Sequence, residues 1–516
     1  MKLTDLPEEM IILIAAALQP HDPVKRRIYE AREGGRITEL LAGQRIPLVR
    51  LASTCKKLRD ILISEVYRFV SIDHGYDDIR KFFDFVRLVI QEPWVRGLVK
   101  GLYLNLYSMA EYMRRPWPYL WQLRELHRLT SVSIRKSVME RMDECSNSFE
   151  LNHLVDQFEK FEDAYDECLA YTIATLLSLF PFVMEVTLSS DEGILRHIPY
   201  YVRRLRMAHP HFSTDDSDEN NRSDHVSEEN PESSRTNGEE YEWGHLDDFY
   251  RVVDVFPQLK SFAIRHYSRT DRIHSIVHDH IGNDEIARLV RTASCANELY
   301  MQGFAIDCKP DIDLKWSCDH VTILILREVW FKEKLVLDFL KSFPNLTKVV
   351  FIEVQERGHR PSLAKLAPRQ LLEALKQNAA SIESLCLTCN NNSGLPCSPA
   401  EAFDTFNEFV KLKELWIETW AFETALDKEP PPGMDKNTVI SSLPPSLERL
   451  HLRGSVANIE GSLSWLAEKC KPDMLPQLKE IAFEAPDVNT KSIQQVFTVG
   501  GVEKVSSNVD REPIMW

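Results

Sequence analysis

The segment FPNLTKVVF, residues 343–351, has the spacing that decides the fold of this chain. A proline turn leads to Leu346, and Val349 and Phe351 then occupy alternate positions, which a β-strand turns toward one face. The same arrangement recurs in four other segments: FPFVMEVTL (180–188), FPQLKSFAI (256–264), LPPSLERLHL (443–452) and LPQLKEIAF (475–483). Five copies of a proline turn followed by a short strand indicate an internal repeat.

Plainer units lie between these copies and keep the three apolar positions without the proline. They are Val99/Leu102/Leu104, Val202/Leu205/Met207, Ala296/Leu299/Met301, Val321/Leu324/Leu326, Ile382/Leu385/Leu387 and Leu412/Leu415/Ile417. From Ala296 onward the units start about 25–36 residues apart, which leaves room for a strand and a helix in each. We therefore predict an α/β solenoid whose strands line one concave face.

The first seventy or so residues follow a different pattern. In LTDLPEEMIILIAAALQP (3–20), Asp5 is a predicted N-cap and Leu6-Pro7-Glu8-Glu9 predicts the start of a helix. The helix is apolar on more than one face, so it has to be covered on several sides. A second stripe, at Leu48, Leu51, Cys55 and Leu58, predicts further helical structure, and YRFVSI (67–72) alternates like a strand.

These segments resemble an F-box, the module by which a family of receptors binds a Skp-type adaptor, followed by an irregular leucine-rich-repeat domain. The matching positions are Leu3, Leu6, Pro7, Glu8, Glu9, Ile11, Ile14, Leu18, Leu48, Leu51, Cys55, Lys56, Leu58 and Arg59. The resemblance implies that an adaptor contacts Leu3, Leu6, Pro7, Ile11, Ile14, Leu18, Leu48, Leu51, Cys55 and Leu58. Through that adaptor the chain would join a cullin–RING ubiquitin ligase as its non-catalytic substrate-recognition subunit.

The predicted organisation is an all-α F-box over residues 1–65 and a leucine-rich-repeat domain over residues 66–516. Residues 21–45 depart from the F-box pattern, because they form an insertion between two helices that the family joins with a few residues. Residues 213–242 interrupt the repeats. From Asp215 to Glu240 this segment has ten acidic residues against two arginines, so we predict a disordered acidic loop.

Charge and composition limit the partners and the compartment. The net charge is −16 and the chain has no long basic run, which argues against a nucleic-acid partner. No apolar run approaches the roughly 18–20 residues that span a bilayer, and no signal peptide is recognised, so we expect no membrane association. An intracellular location, cytoplasmic, nuclear or both, follows, with the ten cysteines reduced.

The predicted target contacts are side chains on the strand face opposite the repeat core. They are Tyr103, Arg265, Tyr300, Arg327, Trp416, His451 and Arg453. Arg265, Arg327 and Arg453 each follow the third apolar residue of a unit, which suggests a basic stripe for an acidic or phosphorylated target. Glu418 and Glu484 occupy equivalent positions and weaken that idea.

Motifs for chemistry are sparse. Cys386 and Cys389 form a lone pair without the second pair that a structural zinc site needs. His274, His278 and His280, with Asp279, are a possible metal cluster on a helix, but they lack the glutamate of the zinc-protease motif. No phosphate-binding loop or nucleophile elbow is present. We predict no cofactor and no metal. Two alternatives stay open: an adaptor-bound scaffold outside any ligase, and a metalloprotein or hydrolase within the repeat region.

Overall fold

A computed structural model describes most of the predicted repeats and the two N-terminal helical segments. The described residues are 3–18, 46–72, 76–105, 154–180, 182–190, 192–208, 258–266, 289–290, 293–306, 318–331, 335–352, 367–388, 402–418, 443–453, 475–483, 495, 497–498 and 502–506. The insertion at 21–45, the acidic segment at 213–242 and the histidines at 274–280 lie outside them.

Six of the eight described α-helices lie in the first half of the chain. They are α1 (Glu8–Leu18), α2 (residues 46–52), α3 (Lys56–Arg68), α4 (Tyr76–Gln91), α5 (Leu154–Ser178), α6 (Glu192–Ala208), α7 (Leu335–Lys341) and α8 (Pro368–Leu375). Helix α1 begins after Pro7 with Glu8 and Glu9 in its first turn, where negative charge complements the helix dipole. Helix α3 continues past residue 65 to Arg68 and leads directly into the first strand.

Fourteen described strands form one large and one small sheet. They are β1 (Phe69–Ile72), β2 (Gly101–Asn105), β3 (Glu185–Ser190), β4 (Ser261–His266), β5 (Glu298–Gln302), β6 (Ala305–Ile306), β7 (Ile323–Arg327), β8 (Trp330–Phe331), β9 (Lys348–Ile352), β10 (Ser384–Thr388), β11 (Glu414–Glu418), β12 (Arg449–Arg453), β13 (Glu480–Phe483) and β14 (Lys504–Ser506). Twelve of them build an all-parallel sheet in chain order, and β6 pairs only with β8. The chain is therefore an α/β protein in its described part.

The turn before most strands of the large sheet repeats with the same hydrogen bonds. The Thr347 carbonyl accepts the N–H groups of Glu383 (2.7 Å) and Ser384 (3.1 Å), and the Glu383 carbonyl accepts those of Lys413 and Glu414 in the same way. One carbonyl thus holds the last amide before the next strand and the first amide of that strand. This pair of bonds recurs at β3, β4, β7 and β9 to β13, and one bond of the same kind is present at β2, β5 and β14, so strands separated by loops of different length enter the sheet in one register.

The second and fourth residues of the strands point into the main core. Val349 and Phe351 of β9 are buried there, together with their counterparts in the neighbouring strands. Helix α7 covers them with Phe339, which lies 5.2 Å from the Phe343 ring, and Phe331 lies 5.3 Å from Phe339. The alternation that predicted the strands is the alternation that forms this core.

A separate core lies between the N-terminal helices. Its buried members are Ile11, Ala15, Leu48, Ala52, Leu58 and Leu62. Lys57 of α3 donates a hydrogen bond of 2.6 Å to the Thr4 carbonyl and ties α3 to the turn before α1. The two segments flanking the insertion therefore pack on each other.

Two sequence predictions differ from the structure. Val202, Leu205 and Met207 do not form a strand, because they lie in helix α6. The buried residues Ile198, Val202 and Leu205 recur there at helical spacing and pack the helix against α5. Strand β14 was not predicted, since Val502 and Val505 supply only two of the three apolar positions of a unit.

Candidate functional site

Large apolar side chains are exposed mainly on the N-terminal helices. Met10, Ile12 and Leu13 on α1 and Ile46 and Val49 on α2 are at least 40% exposed, and Leu13 reaches 63%. We call these five residues the N-terminal apolar surface. Elsewhere in the described chain only the large apolar side chains of Trp94, Phe182 and Val410 are exposed to this degree, and Tyr200 is 37% exposed. Several exposed apolar side chains on two helices that pack on each other are typical of an interface.

The structure divides nine of the ten predicted adaptor contacts into three groups by their exposure. Ile11, Leu48 and Leu58 are buried between the helices, so a partner cannot touch them while the helices are packed. Leu3, Leu6, Ile14, Leu51 and Cys55 are half-buried, Pro7 is exposed, and the side chain of Leu18 lies outside the described part.

Sequence reasoning missed the exposed members Met10, Ile12, Leu13, Ile46 and Val49. The signal that could have found them is the helix face opposite Ile11 and Ala15, since one face of α1 has to pack on α2 and α3. On α1 and α2 the missed residues lie among the residues that were predicted. The adaptor role of the whole set stays a prediction.

The predicted target contacts lie on the face of the sheet opposite the main core. Tyr103, Tyr300, Trp416 and His451 occupy the middle position of β2, β5, β11 and β12, and a second apolar cluster runs between them through Ala263, Ile325, Val350 and Cys386. All four are buried; Trp416 is only 2% exposed. The expectation that these positions stand free in solvent is therefore wrong. Strand alternation decides the face that a side chain takes, whereas exposure depends on what covers that face.

Trp416 and His451 are stacked. Their ring centroids are 3.3 Å apart at an interplanar angle of 29°. Strand pairing places the two residues opposite each other, so the contact follows directly from the register of β11 and β12. Arg453 follows on β12, and its side chain lies outside the described part.

Two of the three predicted arginines, Arg265 and Arg327, belong to a polar network at the carboxyl ends of β4, β5 and β7. Arg265 Nε donates to Gln302 Oε1 at 2.8 Å, and the Tyr300 hydroxyl donates to the same oxygen at 2.7 Å. Gln302 in turn donates to Glu328 Oε2 at 3.2 Å, and Arg327 pairs with Glu328 at 3.6 Å. Arg265 and Arg327 are both buried, which does not suit a solvent-facing basic stripe.

Glu328 closes this network from an unusual backbone conformation. Its φ is 56°, in the left-handed region that non-glycine residues rarely adopt. Its amide N–H donates to the Ile352 carbonyl at 2.8 Å, and its carboxylate faces both Gln302 and Arg327. The strained residue is thus held by its neighbours on both sides.

Charged side chains form rows along the amino ends of the C-terminal strands. Lys413 Nζ lies 2.7 Å from Glu383 Oε2, and Lys479 Nζ lies 2.8 Å from Glu448 Oε2. These hydrogen bonds raise the pKa of Lys413 and lower the pKa of Glu448. One residue further along, Arg449 pairs with Glu414 and Lys504 pairs with Glu480. Each of these four cations is therefore matched by a glutamate at the equivalent position of the neighbouring repeat unit.

Within the described part, no group of three histidine, cysteine or acidic side chains could hold a metal ion. Cys386 is buried, while Cys389 lies outside the described residues. Among the described helices, none combines the length and the apolar composition that crossing a membrane requires. No protein-family model and no curated protein sequence matches the chain.

Proposed function

We propose that this chain is the substrate-recognition subunit of a Skp/cullin/F-box ubiquitin ligase. Its N-terminal helices act as an F-box that binds a Skp-type adaptor, and its parallel sheet is a leucine-rich-repeat solenoid that binds a target protein. The subunit has no catalytic step of its own. It holds a target near the ubiquitin carrier and raises the local concentration of the reacting groups.

The observation that carries the proposal is the N-terminal apolar surface. Fully burying one aliphatic side chain stabilises a protein by about 1.5–3 kcal/mol, and an exposed side chain forgoes most of that. Five such side chains on two adjacent helices favour a partner that covers them. Their position next to the motif Leu6-Pro7-Glu8-Glu9 suits the adaptor interface of the resembled family.

The repeat region supports the second half of the proposal. Sequential parallel strands with a shared turn hydrogen bond are typical of solenoids, in which each unit packs on its two neighbours. Such arrays offer long surfaces for protein partners. The surface available here differs from the predicted one, because the middle row of the opposite face is buried.

Co-purification with a Skp-type adaptor tests the proposal. Residues 1–516 are co-expressed with the adaptor, beside Leu13→Asp and, as a matched control, Val410→Asp. Leu13 and Val410 are 63% and 62% exposed, so a charge at either position leaves the chain folded. The proposal predicts equimolar adaptor with the wild type and with Val410→Asp, and loss of adaptor with Leu13→Asp. Folded wild type without adaptor, or equal loss from both variants, would contradict it.

A further inference from the structure

The amino ends of strands β1 to β4 form a basic and aromatic edge with no counterpart among the later described strands. The residues directly before these strands are Arg68, Lys100, Met184 and Lys260, joined by consecutive backbone bonds: Lys100 N–H to the Arg68 carbonyl (2.8 Å), Met184 N–H to the Lys100 carbonyl (2.7 Å) and Lys260 N–H to the Met184 carbonyl (2.8 Å). Three of the four are cations on a chain of net charge −16.

Two exposed aromatic rings accompany these cations. Trp94 is 51% exposed and Phe182 is 42% exposed. Lys100 Nζ lies 4.6 Å from the centre of the Phe182 ring, and Trp94 stands edge-on to Tyr67 at 6.3 Å. We call Arg68, Trp94, Lys100, Phe182 and Lys260 the basic edge.

At the other end of the sheet the cations of the same row are paired with carboxylates. There Lys413 pairs with Glu383 and Lys479 pairs with Glu448, each across one strand spacing. At the basic edge Arg68 pairs with Glu65 at 3.4 Å, but no carboxylate in the described part of the chain pairs with Lys100 or Lys260. The other acids beside this row are Glu92, which accepts the Trp94 indole N–H at 2.8 Å, Glu185, which begins β3, and Glu298, which begins β5 and whose N–H donates to the Lys260 carbonyl at 3.1 Å. Positive charge is therefore neutralised at one end of the row and left over at the other.

We infer that the basic edge is the target-docking surface, and that it binds an extended acidic segment with an apolar residue between its acids. The inference rests on the proposed function and names the chemistry of its target. The buried middle row cannot take a target without rearrangement, whereas Lys260, Trp94 and Phe182 are open to solvent. Acidic side chains complement Lys100 and Lys260, and an apolar side chain covers the aromatic rings.

Geometry sets the spacing of the acids. Lys100 and Lys260 precede β2 and β4, which are separated by one strand, so their backbones stand about 10 Å apart. A peptide in the polyproline II conformation rises about 3.1 Å per residue and makes a turn every three residues, so acids three positions apart lie on one side and reach both lysines. The whole edge from Arg68 to Lys260 covers three strand spacings, about 14 Å, or four to five residues of a bound peptide. Single-stranded nucleic acid is the competing occupant, since aromatic rings beside cations also stack bases.

The test uses the full chain and a fluorescent peptide in which two glutamates three positions apart flank a leucine. Fluorescence polarisation compares wild type with Lys100→Gln/Lys260→Gln and with Lys413→Gln/Lys479→Gln. Both variants remove two lysines from the same row, so they are matched in net charge. We expect the first variant to lose about tenfold in affinity and the second to bind as wild type does. Trp94→Ala is expected to lose about five- to tenfold.

Salt and a second probe complete the test. Raising the ionic strength from about 0.01 M to 0.15 M shortens the screening length from about 30 Å to 8 Å, so wild-type affinity is expected to fall. Equal losses in both lysine variants, absence of binding at about millimolar peptide, or tighter binding of a single-stranded oligonucleotide would each overturn the inference. Adaptor co-purification by the wild type separates the two levels: a wild type that binds the adaptor but not the peptide removes this inference alone, whereas a wild type without adaptor removes the proposed function.

Discussion

Replacing Trp416 by alanine tests whether the face opposite the main core is buried. A tryptophan side chain buries about 150–250 Å², and Trp416 is 2% exposed. At about 25 cal/mol per Å² the burial is worth about 4–6 kcal/mol, and large-to-alanine substitutions in cores cost about 3–5 kcal/mol. Trp416 also stacks on His451, so its removal takes away a ring contact as well as area.

The control is the same substitution at an exposed tryptophan, Trp94→Ala, since Trp94 is 51% exposed and lies in the 3-10 helix Pro93–Gly97 before β2. Its removal is expected to cost about 1 kcal/mol or less. The assay is urea unfolding followed by far-ultraviolet circular dichroism, with midpoint and slope compared at equal protein concentration. A loss below about 1 kcal/mol for Trp416→Ala, or equal losses for the two variants, would refute the burial of this face.

Three further predictions concern the sheet edge, the charge rows and the N-terminal core. A methyl group at Gly101 would stand 2.6 Å from Cε1 of Phe69, so Gly101→Ala is expected to lower the free energy of unfolding by about 1–3 kcal/mol. Adding Phe69→Leu should recover part of that loss in chemical unfolding, and no recovery would contradict a clash with the Phe69 ring. The hydrogen bond from Lys479 holds the pKa of Glu448 below its ordinary value of 4.5, so this pair stabilises the fold above that pH and its contribution is lost as the pH falls through the folded-state pKa. The melting temperature of Lys479→Gln should therefore fall below that of wild type at pH 7 and converge with it in acid; a gap that persists in acid would contradict the pairing. Ile11 is fully buried, and Ile11→Ala should destabilise the N-terminal core by about 2–5 kcal/mol. Amide hydrogen exchange should then become faster in residues 8–18 and 56–68 and stay unchanged in residues 348–352, whereas a uniform increase would show that the two cores unfold together.

The strands of the main sheet could be predicted because each needs only local information. Three apolar positions after a turn are enough to fix a strand and its inward face, as Leu346, Val349 and Phe351 show. The same three-point pattern fails where a helix offers the same residues. The strand template also fits Val202, Leu205 and Met207. These residues are helical because Ile198 and Tyr201 continue the apolar pattern at helical spacing, which favours α6.

The functional surfaces were harder to predict because exposure is not a local property. The sequence distinguishes Tyr300 and Trp416 from the core residues beside them, yet it contains no sign that their face is covered. The apolar composition of α1 likewise predicts coverage on several sides, but not that Ile11 is the buried residue and Leu13 the exposed one. The contrast between the basic edge and the paired charges depends on register, which assigns Glu383 to Lys413 and leaves Lys100 beside Met184.

Assembly with the adaptor and a cullin tests the central claim most directly. The full chain, a Skp-type adaptor and the amino-terminal part of a cullin are mixed and analysed by size-exclusion chromatography with light scattering. The proposed function predicts one complex with one copy of each, lost with Leu13→Asp and retained with Val410→Asp. A stable pair of chain and adaptor that excludes the cullin would indicate a scaffold outside the ligase, and a folded chain that binds neither protein would contradict the account.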